Sequence, residues 1–448
     1  MTAGSFDWDA IQDEAVGFLR DLLRLDTTNP PGNEGPAIAY IQNKLVAAGL
    51  QPTIVEGAPG RPSLVVRLPG QGRGPSLLLD SHVDVVPARG EAWTLPPFAG
   101  EDRDGNIYGR GALDMKHMTA MSLSVLLSLA RNSVPLRGDL VMTAVADEEG
   151  GADLGAFYLV KEHPELVTTD YALGEVGGMN MTIQGRRLYP IQVAEKGLCW
   201  LKLTVRGEGG HGSMPRHGRS AARNISRLVQ ILDDLRFPIA PHPAAAGFLE
   251  AMASLSSTSQ AAALRLVARG IGARTIIDKL VPAAKRPALE AMLSHTCQPT
   301  VVEAGSKINV LPTTGTVLAD CRTLPGMAPE EMLAAVKKAV GGLATVELVN
   351  GHRGHATPQN NPLYQQIVAT MARMDPDGVV APYLMPGFTN GSAYAQLGTR
   401  YMGFTPVMLP ATIDFASLFH AADERIPIAG FRWGVRTLHD VVTGFLAV

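Results

Sequence analysis

The chain has no dominant charge. Lys and Arg number 39 against 42 Asp and Glu, a formal charge of −3. No basic field exists to draw in phosphate backbones or anionic lipid, so nucleic acid and membrane are not expected partners. Cysteine is scarce. Cys199, Cys297 and Cys321 lie far apart in sequence with no Cys-x-x-Cys spacing, which argues against a disulfide framework or a thiolate metal site and fits small core side chains in a reducing compartment. No unbroken apolar run reaches the ~20 residues needed to cross a bilayer. The stretch Met1–Glu14 carries Asp7, Asp9, Asp13 and Glu14 and lacks the basic start and apolar centre of an export signal, so a cytoplasmic location is expected.

What is present is ordinary globular composition, 46% hydrophobic and 18% charged over 448 residues. That length exceeds one usual hydrophobic core, so two domains are expected. Helical spacing runs from Trp8 to Leu25, ended by Asn29-Pro30-Pro31-Gly32, and again from Gly35 to Gly49 and from Met115 to Arg131. Between them stand short apolar runs, Ser63–Leu68, Ser76–Leu79, Leu140–Ala146 and Tyr171–Leu173. These read as buried strands of an α/β sheet covered on both faces. Beyond Glu195-Lys196-Gly197 the pattern changes to alternation at Cys199–Val205, the mark of a half-exposed antiparallel strand and of a second unit. That unit continues through a helix at Ser220–Leu235, an Ala- and Leu-rich helical stretch at Ala244–Leu293, a strand at Gly315–Cys321, a helix at Pro329–Val340 and a strand at Ala344–Val349. Pro358–Met374 returns to the first unit.

The residues after the buried runs carry the chemistry. Leu77–Leu79 leads to His82 and Asp84, Val141–Ala146 to Asp147-Glu148-Glu149, and Tyr171–Leu173 to Glu175. Ligands of open α/β sheets bind outside the carboxyl ends of the strands. A neutral imidazole is a zinc ligand whose other ring nitrogen a nearby carboxylate can hold, although a solvated loop also accommodates such a pair. Asp114, in Gly109-Arg110-Gly111-Ala112-Leu113-Asp114, is either a helix cap or a carboxylate bridging two metals. Adjacent carboxylates at a strand end repel and resist burial, and two cations would relieve both costs. One of the pair could then ligate while its neighbour serves as general base. Taken singly, Glu175 and His420 read rather as a surface carboxylate and a satisfied loop histidine.

Taken in order, His82-x-Asp84, Gly-Arg-Gly-Ala-Leu-Asp114, Asp147-Glu148-Glu149, Glu175, Gly-Gly-His211-Gly-Ser-Met-Pro and His420-x-x-x-Glu424 resemble the M20 metallopeptidase family. That family includes acetylornithine deacetylase, succinyl-diaminopimelate desuccinylase, aminoacylase and glutamate carboxypeptidase. The resemblance implies an α/β catalytic domain with a mixed, mainly parallel sheet in residues 1–195 and 354–448, and an inserted α+β lid or dimerisation domain in residues 196–353. It implies one metal on His82, Asp114 and Glu175, another on Asp114, Glu149 and His420, Asp84 orienting His82, Glu148 as base, and a cis peptide at Asp114–Met115. The donor set favours zinc, with cobalt or manganese as alternatives.

The family pattern also implies a homodimer in which His211 reaches the partner subunit's site and stabilises an oxyanion. It places Asn309, Arg322 and Thr389 against the substrate. An amide next to a free carboxylate is the implied target, in N-acyl-amino acids first and in dipeptides or peptide C-termini second. Glu195-Lys196-Gly197 and the Ala244–Leu293 insertion are similar to the carboxypeptidase S-like branch and suggest an apolar acyl group. A metal-binding scaffold with a dead site is the reading from a different class. Two positions depart from the pattern: His117 replaces a glycine and is expected to pack rather than ligate, and Asn390 replaces an aspartate in Gly387-Phe388-Thr389-Asn390. His352 and His355 are expected in a polar segment between units rather than in a further metal site.

Overall fold

The computed structural model describes residues 6–90 and 92–448. The opening of the stretch read for an export signal, residues 1–5, lies outside the described residues. Leu77, Leu78 and Leu79 are all fully buried, which requires cover on both faces of their strand. They form the middle of a nine-stranded mixed sheet, where Leu77–Leu79 runs parallel to Leu140–Ala144 on one side and to Tyr171–Gly174 on the other. Arg400–Gly403 continues parallel beyond Tyr171–Gly174, and Val379–Met385 runs parallel to Arg186–Glu195. The outer strands Thr53–Ala58 and Arg61–Leu68 join antiparallel. The helix Lys116–Arg131 is buried along almost its whole length and, with the helices Trp8–Leu23 and Ile428–Leu446, shares the core of this sheet. Carboxyl ends of the central parallel strands therefore open at one edge.

A second, four-stranded antiparallel sheet has the order Thr296–Ala304, Thr314–Thr323, Gly197–Arg206, Thr345–His352. The expected alternation at Cys199–Val205 is there because one face is covered by the helices Ala221–Asp233 and Pro329–Val340, through Ile225, Leu228, Leu232, Met332 and Val336. The three cysteines, distant in sequence, meet in this sheet: Cys199 and Cys297 each pair with Cys321 across neighbouring strands, all three buried and free.

The Ala244–Leu293 stretch folds as the helices Pro243–Ser254, Thr258–Ala268, Ala273–Leu280 and Arg286–Leu293. It does not join the core of the smaller sheet. Phe248 and Leu249 pack into the larger core, with the Phe248 and Tyr383 rings 5.2 Å apart against the strand Val379–Met385. Ala and Leu spacing announces helices but not the surface they cover. No helix among the described residues is long and apolar enough to cross a membrane.

Candidate metal centre

The loops leaving the central strands, with segments from both ends of the chain, bring the acidic and imidazole groups together. Asp114 stands between two histidines. Its Oδ1 lies 3.2 Å from His82 Nε2 and its Oδ2 lies 3.1 Å from His420 Nε2. Glu175 Oε2 is 3.7 Å from His82 Nε2, and Glu149 Oε1 is 3.3 Å from His420 Nε2. Ligand atoms of His82, Asp114 and Glu175 thus form one group within 4.8 Å of one another, and those of Asp114, Glu149 and His420 form another. Glu148 lies beside them, its Oε2 3.9 Å from His82 Nε2.

Supporting contacts fix this arrangement. Asp84 is fully buried and takes the backbone N–H of Glu148 on Oδ1 and that of Glu149 on Oδ2, both at 3.1 Å, while its carbonyl oxygen lies 2.9 Å from His82 Nδ1. It therefore holds the acidic pair as well as His82. Asn29 donates to Asp84 Oδ2 at 2.9 Å and to Asp147 Oδ1 at 3.1 Å, tying the two loops together. The sequence marked Asn29 only as part of a helix stop, and a polar side chain directly before two prolines was the one available signal.

Glu424 cradles the Asp114 loop. Its carboxylate accepts the N–H groups of Gly111, Leu113 and Asp114 and pairs with Arg110, with Glu424 and Arg110 themselves fully buried. Gly111 turns this loop at φ +91°, where a Cβ would also meet Val85 and Lys116. The Asp114–Met115 peptide is cis. Asp147, Val176 and His420 adopt left-handed backbone conformations at φ +67°, +61° and +59°. Such conformations are unfavourable, above all for a β-branched residue, and here all three flank or belong to the cluster.

Burial sets the electrostatics. It pushes Glu148 well above the usual carboxyl range, with the charge of Glu175 adding to it, and it raises Glu175 to about 7. Hydrogen bonds to Asp114 and Glu149 raise His420 to about 10. Burial disfavours the charged form of His82, but its contacts with Asp114, Asp84 and Glu175 outweigh this and raise its pKa. Carboxylates crowded in a buried place therefore call for positive charge. Glu175 Oε1 is buried without a hydrogen-bond partner. Tetrahedral zinc ligands at about 2.0–2.1 Å from the ion stand about 3.3 Å apart, close to the separations around Asp114. The two groups fit a pair of divalent cations that share Asp114.

The cluster opens into a cavity of about 280 Å³ lined by Glu148, Arg322 and His117 and by the apolar side chains of Leu113, Val176, Met179, Met385, Phe388 and Phe419. His117 joins neither ligand group. Burial lowers its pKa to about 3, and neither ring nitrogen has a hydrogen-bond partner among the described residues. Arg322, from the smaller sheet, reaches the cavity while paired with Asp320 at 2.7 Å.

Of the other expected residues, Thr389 and Asn309 do not line this cavity, and His211 is the one expected at a partner subunit's site. Thr389, expected against the substrate, is fully buried and donates its hydroxyl to Glu195 at 2.6 Å, so Phe388 lines the cavity in its stead. His211 and Asn309 are exposed on a short ladder in which Gly210–His211 pairs with Val310–Leu311, and neither lines the cavity. Asn390 donates to the buried carboxylate of Asp80 at 3.1 Å, a place where an aspartate would meet like charge. No residue of the helical stretch 243–293 lines the cavity, and His352 and His355 belong to no candidate metal group among the described residues.

The chain matches the model of peptidase family M20/M25/M40 over residues 78–444. It is 28% identical over 444 residues to Aminoacylase-1 of Homo sapiens, covering 96% of this chain and 94% of that protein. It is 27% identical over 396 residues to N-fatty-acyl-amino acid synthase/hydrolase PM20D1 of Mus musculus, covering 83% of this chain and 75% of that one. Among solved structures, the M20 family metallo-carboxypeptidase Sso-CP2 from Sulfolobus solfataricus has the same fold, with TM-score 0.73 at 17% identity over 96% of this chain and 98% of that chain.

Proposed function

Since the chain belongs to peptidase family M20/M25/M40 and is thereby a metal-dependent hydrolase of amide bonds, we propose that its substrates are N-acyl-amino acids, cut at the amide next to a free carboxylate. The observation that carries this reading is the shared cavity: a buried Glu148 beside two ligand groups joined by Asp114, with one arginine and six apolar side chains around them. In this proposal His82, Asp114 and Glu175 hold one cation and Asp114, Glu149 and His420 the other, zinc by donor chemistry, with cobalt or manganese as alternatives. When bound, the pair supplies Lewis acidity and lowers the pKa of water.

Glu148 takes the proton of the attacking water and delivers it to the amine nitrogen as the C–N bond breaks. A carboxylate standing beside both ligand groups, its Oε2 3.9 Å from His82 Nε2, is placed for both steps. Asp84 keeps His82 and the backbone of Glu148 in place. Arg322 receives the substrate carboxylate with its planar fork, and the apolar walls receive the acyl group.

His211 and Asn309 act, in this reading, on the site of a second copy. Met214, Ile308 and Val310 beside them are 59%, 105% and 49% exposed, which supports burial of this ladder in a homodimer. The four-stranded sheet with its two helices is the lid of the proposal, within residues 196–353.

The test is bound-metal analysis followed by a panel of N-acyl-amino acids and dipeptides with zinc, cobalt or manganese added. Preference for acyl-amino acids supports the proposal. Preference for dipeptides or peptide C-termini replaces it with a peptidase, and a metal-free, inactive protein replaces it with a scaffold. Glu148→Gln should retain metal and lose turnover, and an active variant removes Glu148 as base.

A further inference from the structure

A second cavity, which shares no lining residue with that of the metal centre, lies where the chain returns from the smaller sheet to the larger. It measures about 620 Å³ and is lined by residues 351–358 together with side chains near 392–400. Its lining includes Arg353, Arg400, His352 and His355 and not one aspartate or glutamate, in a chain whose acidic residues outnumber its basic ones.

Neither arginine is paired with a carboxylate among the described residues. The side chain of Arg353 has no hydrogen bond or ion pair among the described residues, and that of Arg400 has only Tyr171, by a 3.4 Å contact to its hydroxyl and by lying over its ring. Both arginines are exposed. Behind them His355 is 9% exposed, with Nε2 buried and unpartnered. Its Nδ1 stands 3.1 Å from Glu195, a carboxylate already taking hydroxyl hydrogen bonds from Thr389 and Ser392. The Nε2 of His352 is also buried without a partner.

Buried polar atoms without partners are costly, and arginine is the side chain best matched to a planar or tetrahedral anion. The volume suits a ligand of metabolite size rather than a bare inorganic ion. We propose that this cavity binds a small organic dianion, a carboxylate or phosphate ester, held by Arg353 and Arg400 with His355 at its base. The His352 ring lies 5.5 Å from that of Phe388, which lines the metal-centre cavity, so occupancy here bears on the wall of the catalytic site.

The experiment is isothermal titration of the metal-loaded protein with succinate and, separately, with glycerol 3-phosphate, comparing wild type with the Arg353→Ala/Arg400→Ala double variant. Neither arginine belongs to the catalytic machinery, so the double variant should hydrolyse substrate at the wild-type rate without anion. At least one dianion should bind wild type at millimolar concentration or below. Loss of two charge-assisted contacts should weaken that binding by about tenfold or more. Whichever dianion binds tells the carboxylate from the phosphoryl source. No binding of either up to 20-fold above the millimolar range, or equal affinity in the double variant, overturns the proposal; anion held at the metal centre alone gives the second of these results.

Discussion

Replacing Asp84 by Asn tests whether the centre depends on one buried carboxylate that touches no substrate. Each oxygen of Asp84 accepts a backbone N–H from the acidic loop, Oδ1 from Glu148 and Oδ2 from Glu149, and Oδ2 also accepts from Asn29. An amide has the same shape but one acceptor oxygen. Turned to keep Glu149 and Asn29, its NH2 faces the N–H of Glu148; turned the other way, it loses both Glu149 and Asn29. At full burial no solvent compensates. Hydrogen bonds to a charged group are worth about 1.5–3 kcal/mol each, so the loss of one or two gives a destabilisation of about 2–5 kcal/mol in urea unfolding. Loosened support of His82 and Glu149 should also cost about 10–100-fold in metal affinity or kcat. Zinc affinity is measured by competition with a chromogenic chelator, and kcat on the preferred substrate, at a temperature where circular dichroism shows the variant folded. A folded Asp84→Asn protein with wild-type metal affinity and kcat would refute the argument.

Removing the Glu424 carboxylate as Glu424→Ala leaves three N–H groups, two of them buried, and the Arg110 guanidinium without it, and should cost about 3–5 kcal/mol of stability; a loss under 1 kcal/mol in urea unfolding contradicts this. Metal loading should release protons at pH 7, because His420 and His82 hold theirs above the usual histidine range in the metal-free protein and must surrender them to ligate. Affinity therefore rises with pH, and calorimetry in two buffers of different ionisation enthalpy that finds no release speaks against the ligand assignment. Asn390→Asp sets a second carboxyl against Asp80, itself raised by burial. The new group's folded pKa lies above its unfolded one, so the variant's deficit in Tm should be largest at pH 8 and shrink as pH falls toward 5.5; a deficit independent of pH removes the like-charge explanation.

Much of the fold was legible because burial and period are local properties. The run Leu77–Leu79 announced a doubly covered strand, and the alternation Cys199–Val205 announced a half-covered one. The same logic stopped at packing partners. The helices in 243–293 carry apolar faces that could cover either core, and contact with Tyr383 places them on the larger. The cysteines looked unrelated because their neighbours in sequence say nothing of strand register, which sets Cys199, Cys321 and Cys297 side by side. Thr389 was expected against the substrate from the family pattern of its loop, yet the hydrogen bond to Glu195, 194 residues away, turns it inward.

The sequence by itself determined which groups are available to the centre and at which strand ends they emerge, because a short apolar run followed by a polar side chain is a local signal. Only the tertiary structure decided that Asp114 shows one oxygen to His82 and the other to His420, 306 residues further along the chain. It likewise decided that Glu424, 310 residues beyond Asp114, cradles the same loop. Distances between segments so far apart follow from how helices and sheets pack, and no local pattern of residues encodes them.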